Sequence, residues 1–335
     1  MSPKFRGDSD DWLDKDTQRK SGTPKKKPKA KALGLDPSEA NATVAEVFPN
    51  QCKVKMDHDG RRVLCHYRRS ALFGHSELRE RAPVAVGDRV KVNQTGADGV
   101  VEGVCLRKNR LARPAPARDE VIHVVVANVD LLVIVVSAKN PDFSPGLIDR
   151  FLVSSAVEGI ESLICVNKVD IINTGTHEAP PWRLYQDIRK NVMEVSARQA
   201  TGIEELRARL LGKTVAFCGH SGVGKTSLLR TLLADYVGKI AEVSTATGKG
   251  QHTTTGAILL EGPSASQWID TPGIREFGLH GIPAAELSKY FEEFNQAGCN
   301  PEDCTHIDET GCRAKELPRY SSYRRIYESL LAGEH

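Results

Sequence analysis

Eight consecutive residues, Gly219-His220-Ser221-Gly222-Val223-Gly224-Lys225-Thr226, fit the pattern G-x-x-x-x-G-K-[ST]. They follow the apolar run TVAFC and precede TSLLRTLL, so a strand turns through glycines directly into a helix. That unit commits the surrounding chain to an α/β layer, because the helix must pack back onto a sheet. The glycines let backbone N–H groups turn inward, and the helix N-terminus adds its positive end. A phosphate is the expected occupant. Lys225 would reach the β and γ phosphates, the Thr226 hydroxyl would ligate Mg²⁺, and Ser227 stands next in line.

The flanking sequence agrees. VIHVVVANVDLLVIVVSA is too apolar for surface strands and predicts buried parallel strands. After it come an expected helix over 146–157, a strand over 161–166, a helix over 182–190, a strand over 192–195 and a helix over 203–211. A strand over 214–218 then leads into the phosphate loop. This βαβ series predicts a doubly wound sheet.

Further pieces address which nucleotide is bound. Asn167-Lys168-Val169-Asp170 follows the apolar run SLICV, where a loop at the carboxyl end of a parallel strand faces the ligand crevice. The Asp170 carboxylate can accept from guanine N1–H and the exocyclic amino group, a pairing adenine does not offer. Ser196-Ala197 ends the next strand and can turn backbone N–H toward guanine O6. Asp270-Thr271-Pro272-Gly273 ends SQWI, placing Asp270 to hold Mg²⁺ through water and the Gly273 N–H to meet a γ-phosphate. Gly250-Gln251-His252-Thr253-Thr254-Thr255 lies between loop and aspartate, where a threonine (Thr254, then Thr255) would close on Mg²⁺. Jointly these describe GTP/GDP binding and a GTPase.

Their order is unusual. The guanine elements at 167–170 and 196–197 precede the phosphate loop at 219–226, whereas GTPases ordinarily place the loop first. Joining the original termini and opening the chain elsewhere preserves the three-dimensional site, since termini usually lie close together at the surface. The chain thus reads as circularly permuted, and its cut sends the segment after Gly273 into the C-terminal region.

That region carries Cys299-x4-Cys304-x-His306-x5-Cys312, three thiolates and an imidazole within 14 residues. Soft S and N ligands in this number suit a closed tetrahedral Zn²⁺ site of structural type. The other five of eight cysteines (Cys52, Cys65, Cys105, Cys165, Cys218) lie in strand-like segments and read as small core residues. So few cysteines exclude a disulfide scaffold, and MSPKFRGDSDDW has no apolar signal core. The expected setting is cytoplasmic. The longest clean apolar run, Leu131–Val136, is far short of the ~20 residues a membrane helix needs.

Before the sheet, residues 42–112 hold five short β-type segments: ATVAEVF, CKVKM, RRVLCHY, DRVKVN and GVVEGVCLR. Asp59-Gly60 and Asp98-Gly99 are hairpin signals. The stretch predicts a small closed barrel of oligonucleotide-binding (OB) type, with 13 Lys plus Arg against 8 acids and Arg107, Lys108, Arg110 and Arg113 at its end. It reads as a nucleic-acid binder or as a plain structural barrel. Residues 1 to about 40 lack periodicity, and Arg19–Lys31 carries seven basic residues and no acid. This is a solvated tail or a polyanion-binding arm. Arg313, Lys315, Arg319, Arg324 and Arg325 form a second basic group. The net charge of +3 therefore conceals an uneven distribution that points to RNA.

NKxD, then GxSGVGK[ST], HTTT, DTPG and C-x4-C-x-H-x5-C, in that order, closely resemble the small-ribosomal-subunit biogenesis GTPases (RsgA type, also YjeQ/EngC). The resemblance covers about residue 42 to the C-terminus. It implies an OB barrel over 41–114, a permuted α/β P-loop GTPase over 115–280 and a mainly helical zinc domain over 281–335, with the basic tail over 1–40 left outside. It further implies GTP hydrolysis late in small-subunit maturation, stimulated by the small subunit and its rRNA, with release of assembly factors. His220 stands where the family usually has Pro, and Gln251 where Arg is frequent; neither departure removes a phosphate or metal ligand, and His220 stays among the expected phosphate-loop residues. The chain is expected to be a monomer without membrane association.

Ile274 follows DTPG where many GTPases carry the glutamine that orients the attacking water. An isoleucine cannot do so, and His252 is the candidate for that role, with an exposed loop residue as the plainer reading. With Lys225 it makes up the expected catalytic pair. Two rivals remain: a nucleotide-regulated rRNA-binding placeholder with negligible catalysis, and a P-loop ATPase, against which Asp170 and Ser196-Ala197 speak.

Overall fold

The computed structural model describes residues 35–67, 79–80, 83–115, 118–172, 179–234, 256–271, 277–279, 282–299 and 304–333. The basic run Arg19–Lys31, and with it His252, Thr254, Thr255, Gly273 and Ile274, lie outside them.

The barrel begins with β1 (Ala42–Phe48), β2 (Gln51–Met56) and β3 (Arg62–His66). After the two-residue β4 (Arg79–Glu80) come β5 (Arg89–Thr95) and β6 (Asp98–Val104). In β2, Cys52, Val54 and Met56 are buried while Gln51, Lys53 and Lys55 are half-buried, the period-2 pattern of a strand with one face on a core. The pairing order is β1-β2-β3-β6-β5, and β5 returns to β1, so the five strands close. The Asp59-Gly60 signal marks the β2–β3 turn, where Gly60 has φ +70°. The Asp98-Gly99 signal does not mark a turn. The β5–β6 reversal is at Gly96-Ala97, and Gly99 lies within β6 beside β3. A Cβ there would lie 2.8 Å from Cys65 Sγ and 2.9 Å from Val92 Cγ1, so this glycine serves close packing at the parallel β3–β6 seam.

β7 (Arg110–Ala115) and β8 (Arg118–Ala127) form an antiparallel pair, with β4 parallel to β8. The apolar run expected to supply two parallel strands thus supplies β8, whose main partner β7 is antiparallel and whose short partner β4 is parallel, and β9 (Leu131–Ser137), parallel to both its neighbours. An apolar run reports burial on both faces and says nothing about partner direction, which explains the difference.

From β9 the chain forms α1 (Pro145–Val157), β10 (Glu161–Asn167), α2 (Arg183–Asp187), β11 (Val192–Glu194), α3 (Ile203–Leu210), β12 (Thr214–Cys218), α4 (Lys225–Leu233), β13 (Ile258–Glu261) and β14 (Gln267–Asp270). The sheet order is β11-β10-β9-β12-β14-β13, parallel except for β13. On one face, Ile148, Phe151 and Leu152 of α1 join Trp182 and Tyr185. On the other, Leu206 and Leu210 of α3 meet Leu228, Leu229 and Leu232 of α4. This is the doubly wound arrangement. α2 is shorter than expected: Arg189 takes φ +56°, and the Lys190 N–H turns back to the Tyr185 carbonyl at 2.9 Å, ending the helix.

The barrel and the sheet are continuous. β1 pairs with β13 at Glu46 and Ile258, an Arg62 Nη donates to the Leu259 carbonyl at 2.7 Å, and Lys55 pairs with Glu261 at 3.5 Å. Arg107 is spent inside this junction: its guanidinium donates at 2.7 and 2.8 Å to the fully buried Asp88, and Lys108 pairs with Asp130. Part of the basic group at the barrel's end is thus internal.

The C-terminal unit has short 3-10 turns at Ala284–Tyr290 and Arg313–Glu316, α5 (Glu292–Asn295) and α6 (Tyr320–Leu331). α6 buries Tyr323, Ile326 and Leu330 at helical spacing against Phe291, Phe294 and Val153 of α1. Arg319, one of the second basic group near the C-terminus, is buried. Its Nε donates to Asp149 Oδ1 of α1 at 2.8 Å, an Nη donates to both Glu293 oxygens at 2.8 and 3.0 Å, and the guanidinium lies 4.4 Å over the Phe291 ring. No polyanion can reach it there. No helix among the described residues is long and apolar enough to cross a membrane.

Candidate nucleotide and metal sites

The phosphate loop leaves β12 at the carboxyl edge of the sheet. Gly219 has φ +144°, and a Cβ would lie 2.1 Å from the Val135 carbonyl oxygen of the neighbouring strand. Gly224 has φ +91°, and a Cβ would lie 2.4 Å from Asn167 Nδ2. Only glycine fits either place. Val223 is buried and anchors the loop, while His220, Ser221 and Gly222 are exposed. α4 starts at Lys225, so its unpaired N–H groups face the loop. Thr226 is half-buried and Ser227 exposed in its first turn.

Asn167, buried at the end of β10, joins three segments. Its Nδ2 donates to the Val223 carbonyl at 3.0 Å, and its Oδ1 accepts from the Ala197 N–H at 3.1 Å. Ser196 Oγ donates to Asp170 Oδ1 at 2.6 Å, fixing the carboxylate expected from the sequence to meet a guanine edge. Lys168, with φ +64°, sends its ammonium to the Gly222 carbonyl at 2.6 Å and to the Asn140 carbonyl. The residues expected to bind base and phosphate, 167–170, 196–197 and 219–227, thus converge from separate strand ends.

Asp270 ends β14 and is buried, with Lys225 Nζ 3.7 Å away. Burial pushes its carboxyl above the usual range, and Lys225 opposes the rise. Its Oδ1 has no hydrogen-bond partner, an arrangement that suits a carboxylate facing a hydrated cation. Asp270 therefore fits Mg²⁺, which would neutralise phosphate charge there, with Thr226 in the first turn of α4 as the other expected ligand. Lys225 Nζ donates to the Thr271 carbonyl at 2.7 Å, and Thr271 Oγ1 donates to the Phe217 carbonyl at 2.6 Å. Thr271 was not among the sequence candidates. A main-chain acceptor leaves no mark in a sequence.

Cys299, Cys304, His306 and Cys312 bring their ligand atoms within 4.8 Å of one another, and all but Cys299 are buried. Cys299 Sγ lies 3.6 Å from Cys312 Sγ and 3.6 Å from His306 Nδ1, which is 3.3 Å from Cys312 Sγ. A tetrahedron with Zn–S of about 2.3 Å has edges of about 3.8 Å, so the quartet is the right size for one ion. Burial opposes ionisation of Cys299, but backbone N–H groups of Ala314 and Arg313 and the neighbouring thiols outweigh it and lower its pKa. Phe294 and Tyr323 stand edge-on to the His306 ring at 5.4 and 5.9 Å and orient it. The cluster has the donor set and the spacing for a single metal ion.

A guanine-type loop preceding the phosphate loop on a doubly wound sheet, with a five-stranded barrel before it and a metal cluster after it, defines a circularly permuted GTPase. A family model described as RsgA GTPase matches residues 104–280. A small ribosomal subunit biogenesis GTPase RsgA of Chlorobaculum tepidum is 40% identical over 286 residues, covering 82% of this chain and 91% of that one. The protein of the same name from Shewanella oneidensis is 34% identical over 343 residues, covering 96% and 92%. Among solved structures, the crystal structure of YjeQ from Thermotoga maritima matches with TM-score 0.64 and 30% identity, covering 87% of this chain and 98% of that one. YloQ, described as a circularly permuted GTPase, shares the fold with TM-score 0.60 at 24% identity, covering 87% and 94%. The chain belongs to the RsgA GTPase family and is a GTP hydrolase.

Proposed function

We propose that this GTPase acts on the small ribosomal subunit late in its maturation, is stimulated by the subunit, and promotes release of assembly factors. It works as a cytoplasmic monomer. Its barrel (41–114) and zinc domain (281–335) contact rRNA on either side of the GTPase domain (115–280), and the basic tail (1–40) adds an electrostatic arm. The names of its relatives motivate the partner.

The observation that carries the mechanism is where the chain is held immediately after each of the two segments expected to meet the γ-phosphate, which themselves lie outside the described residues. The first leads into β13, which is hydrogen-bonded to β1 of the barrel. The second leads to Phe277, packed 5.5 Å from Phe151 in the main core, then to Gly278, whose N–H donates to the Ala112 carbonyl at 2.8 Å. Leu279 and Ile282 follow into the core of the C-terminal unit. A change in either segment on γ-phosphate loss would therefore load a different appendage, the order–disorder mode of switching.

In the site, Asp170 and Lys168 select and cover guanine, with Asn167, Ser196 and Ala197 holding that pocket. Residues 219–224 cradle the phosphates, Lys225 neutralises them, and the Gly273 N–H senses the γ-phosphate. Thr226, Thr254 and Asp270 hold Mg²⁺, and His252 orients the attacking water. Zn²⁺ in the Cys299, Cys304, His306 and Cys312 site is structural. GTP turnover measured with purified small subunits, large subunits and none is expected to rise only with small subunits. Equal turnover in all three would end the reading. Ile274 favours one alternative, a placeholder with negligible catalysis, and the same assay detects it as binding without turnover.

A further inference from the structure

The strand order marks a second wall of the nucleotide site. β9 and β12 are hydrogen-bonded parallel neighbours, but their exits diverge: β9 leads through α1 to β10, and β12 leads through α4 toward β13 and β14. In an open α/β sheet, ligands bind in the crevice beyond the carboxyl ends of such a pair. The loop after β12 is the phosphate loop. The loop after β9, residues 138–143, carries none of the motif residues, yet it forms the other lip of that crevice.

Its contacts tie it to both recognition loops. The Ala138 N–H donates to the Asn167 carbonyl at 2.9 Å. The Asn140 carbonyl accepts from the Lys168 ammonium, which also reaches Gly222 of the phosphate loop at 2.6 Å. A Cβ on Gly222 would lie 3.7 Å from Pro141 Cδ, so the two lips are in packing reach. The loop is pinned from below by Ser137, buried at 1% exposure, whose Oγ donates to the Lys139 carbonyl at 2.5 Å and lies 3.4 Å from that of Asn140.

We infer that the loop after β9 is a working wall of the guanine-nucleotide site and that Ser137 is a positioning residue for Lys168. The ammonium of Lys168 is held at one end by two carbonyls from opposite lips, and its backbone is held at the other end of the stem beside Asp170. The line of that stem, against which a base can lie, is set by where Asn140 presents its carbonyl. Ser137 in turn sets Asn140. Loss of the Ser137 hydroxyl frees the loop, and Lys168 then spends binding energy on finding its place.

The inference rests on the proposed guanine site, and the experiment separates the two. Affinity for a fluorescent GDP analogue and steady-state GTP hydrolysis are measured for the full chain, Ser137→Ala, Ser137→Thr, Lys168→Ala and the Ser137→Ala/Lys168→Ala double variant. Ser137→Ala is expected to weaken GDP by about fivefold, the worth of one net hydrogen bond, with the loss in KM rather than kcat. Ser137→Thr, which keeps the hydroxyl, restores affinity to within about twofold of the parent. On the Lys168→Ala background the serine replacement adds less than about twofold, because the residues act in series. An unchanged Kd in Ser137→Ala, or an equal penalty on both backgrounds, overturns the inference. If Ser137→Ala does not fold, Pro141→Ala, outside the sheet, is read by the same criteria. Should Lys168→Ala itself bind GDP like the parent, the guanine-site reading fails; should it weaken binding while Ser137→Ala is silent, only the role of this loop fails.

Discussion

Along β9 every residue from Leu131 to Ser137 is buried, and the layers on both faces are almost wholly aliphatic and aromatic. In the C-terminal unit, the Cys299, Cys304, His306 and Cys312 quartet and the Arg319 cluster with Asp149 and Glu293 stand beside a smaller apolar group. The difference follows from size. A sheet with helices on both faces removes enough apolar surface from water to hold its loops in place, at about 25 cal/mol per Å². Some fifty residues with two short 3-10 turns and two helices do not, and small units of this kind rely on metals or other cross-links. One region can lend rigidity to a reactive loop; the other has a smaller core, a four-residue metal-ligand set and its docking to α1.

Removing the metal is the severest way to break this contrast. Structural zinc is worth about 10–16 kcal/mol in small domains, so chelation or Cys312→Ser is expected to unfold residues 282–333 while the sheet survives. Hydrogen exchange reads this as loss of protection in α6 with β9, β10 and β12 unchanged. Thiol labelling gives a second readout. Burial pushes Cys52 and Cys165 up to about 12 and Cys65 to about 11, so these stay unreactive in the native protein with or without metal. Cys299, Cys304 and Cys312 become reactive on chelation. Protection lost throughout the sheet would show that the two regions are one cooperative unit.

Arg319→Ala comes next. It leaves Asp149 and Glu293 without their shared cation, at a cost of about 3–5 kcal/mol, whereas replacing Asp149, Arg319 and Glu293 together by apolar residues of similar volume is expected to be near neutral. Chemical denaturation followed at α6 checks both. Lys225→Ala is expected to cut GTP turnover by about 100- to 1,000-fold while leaving the metal content at one ion per chain, measured by elemental analysis. Metal loss in that variant would contradict the separation of the two sites.

The smallest effect tests the metal unit alone. Glu309 accepts from the Thr305 N–H and Oγ at 2.6 and 2.7 Å and from the Ile307 N–H at 2.9 Å. Burial acts against its charge, but these donors prevail and lower its pKa to about 2. A carboxylate depressed in the folded state stabilises above its unfolded value, near 4.3, and that gain disappears as pH falls toward about 2. Glu309→Gln is therefore expected to lower the melting temperature at neutral pH, with the metal site loaded, by the equivalent of about 1 kcal/mol. An unchanged melting temperature at neutral pH would refute the assignment.

Much of the candidate site was legible because its parts are local. Gly219 to Thr226 specify a phosphate cradle through backbone N–H groups of neighbouring residues, and Cys299 to Cys312 supply four ligands within 14 residues. Alternation in β2 and helical spacing in α6 announced their elements for the same reason. The direction of β8 was not legible, because an apolar run does not say which strand it meets. Asp98-Gly99 carries a hairpin signal although the turn lies at Gly96-Ala97, because Gly99 satisfies packing across the barrel. Arg319 looked like surface charge because its partner Asp149 is 170 positions away.

By itself the amino-acid order set out the candidate ligands, each group within a few positions, and the order of the motifs along the chain, and with it the permutation. Only the tertiary structure decided which groups meet across the chain: Arg62 on Leu259, 197 positions distant, Lys168 between two lips of one crevice, and Arg319 inside rather than outside. Such contacts are chosen by closure of strands and burial of charge over long loops, and those energies belong to the whole fold rather than to any segment of it.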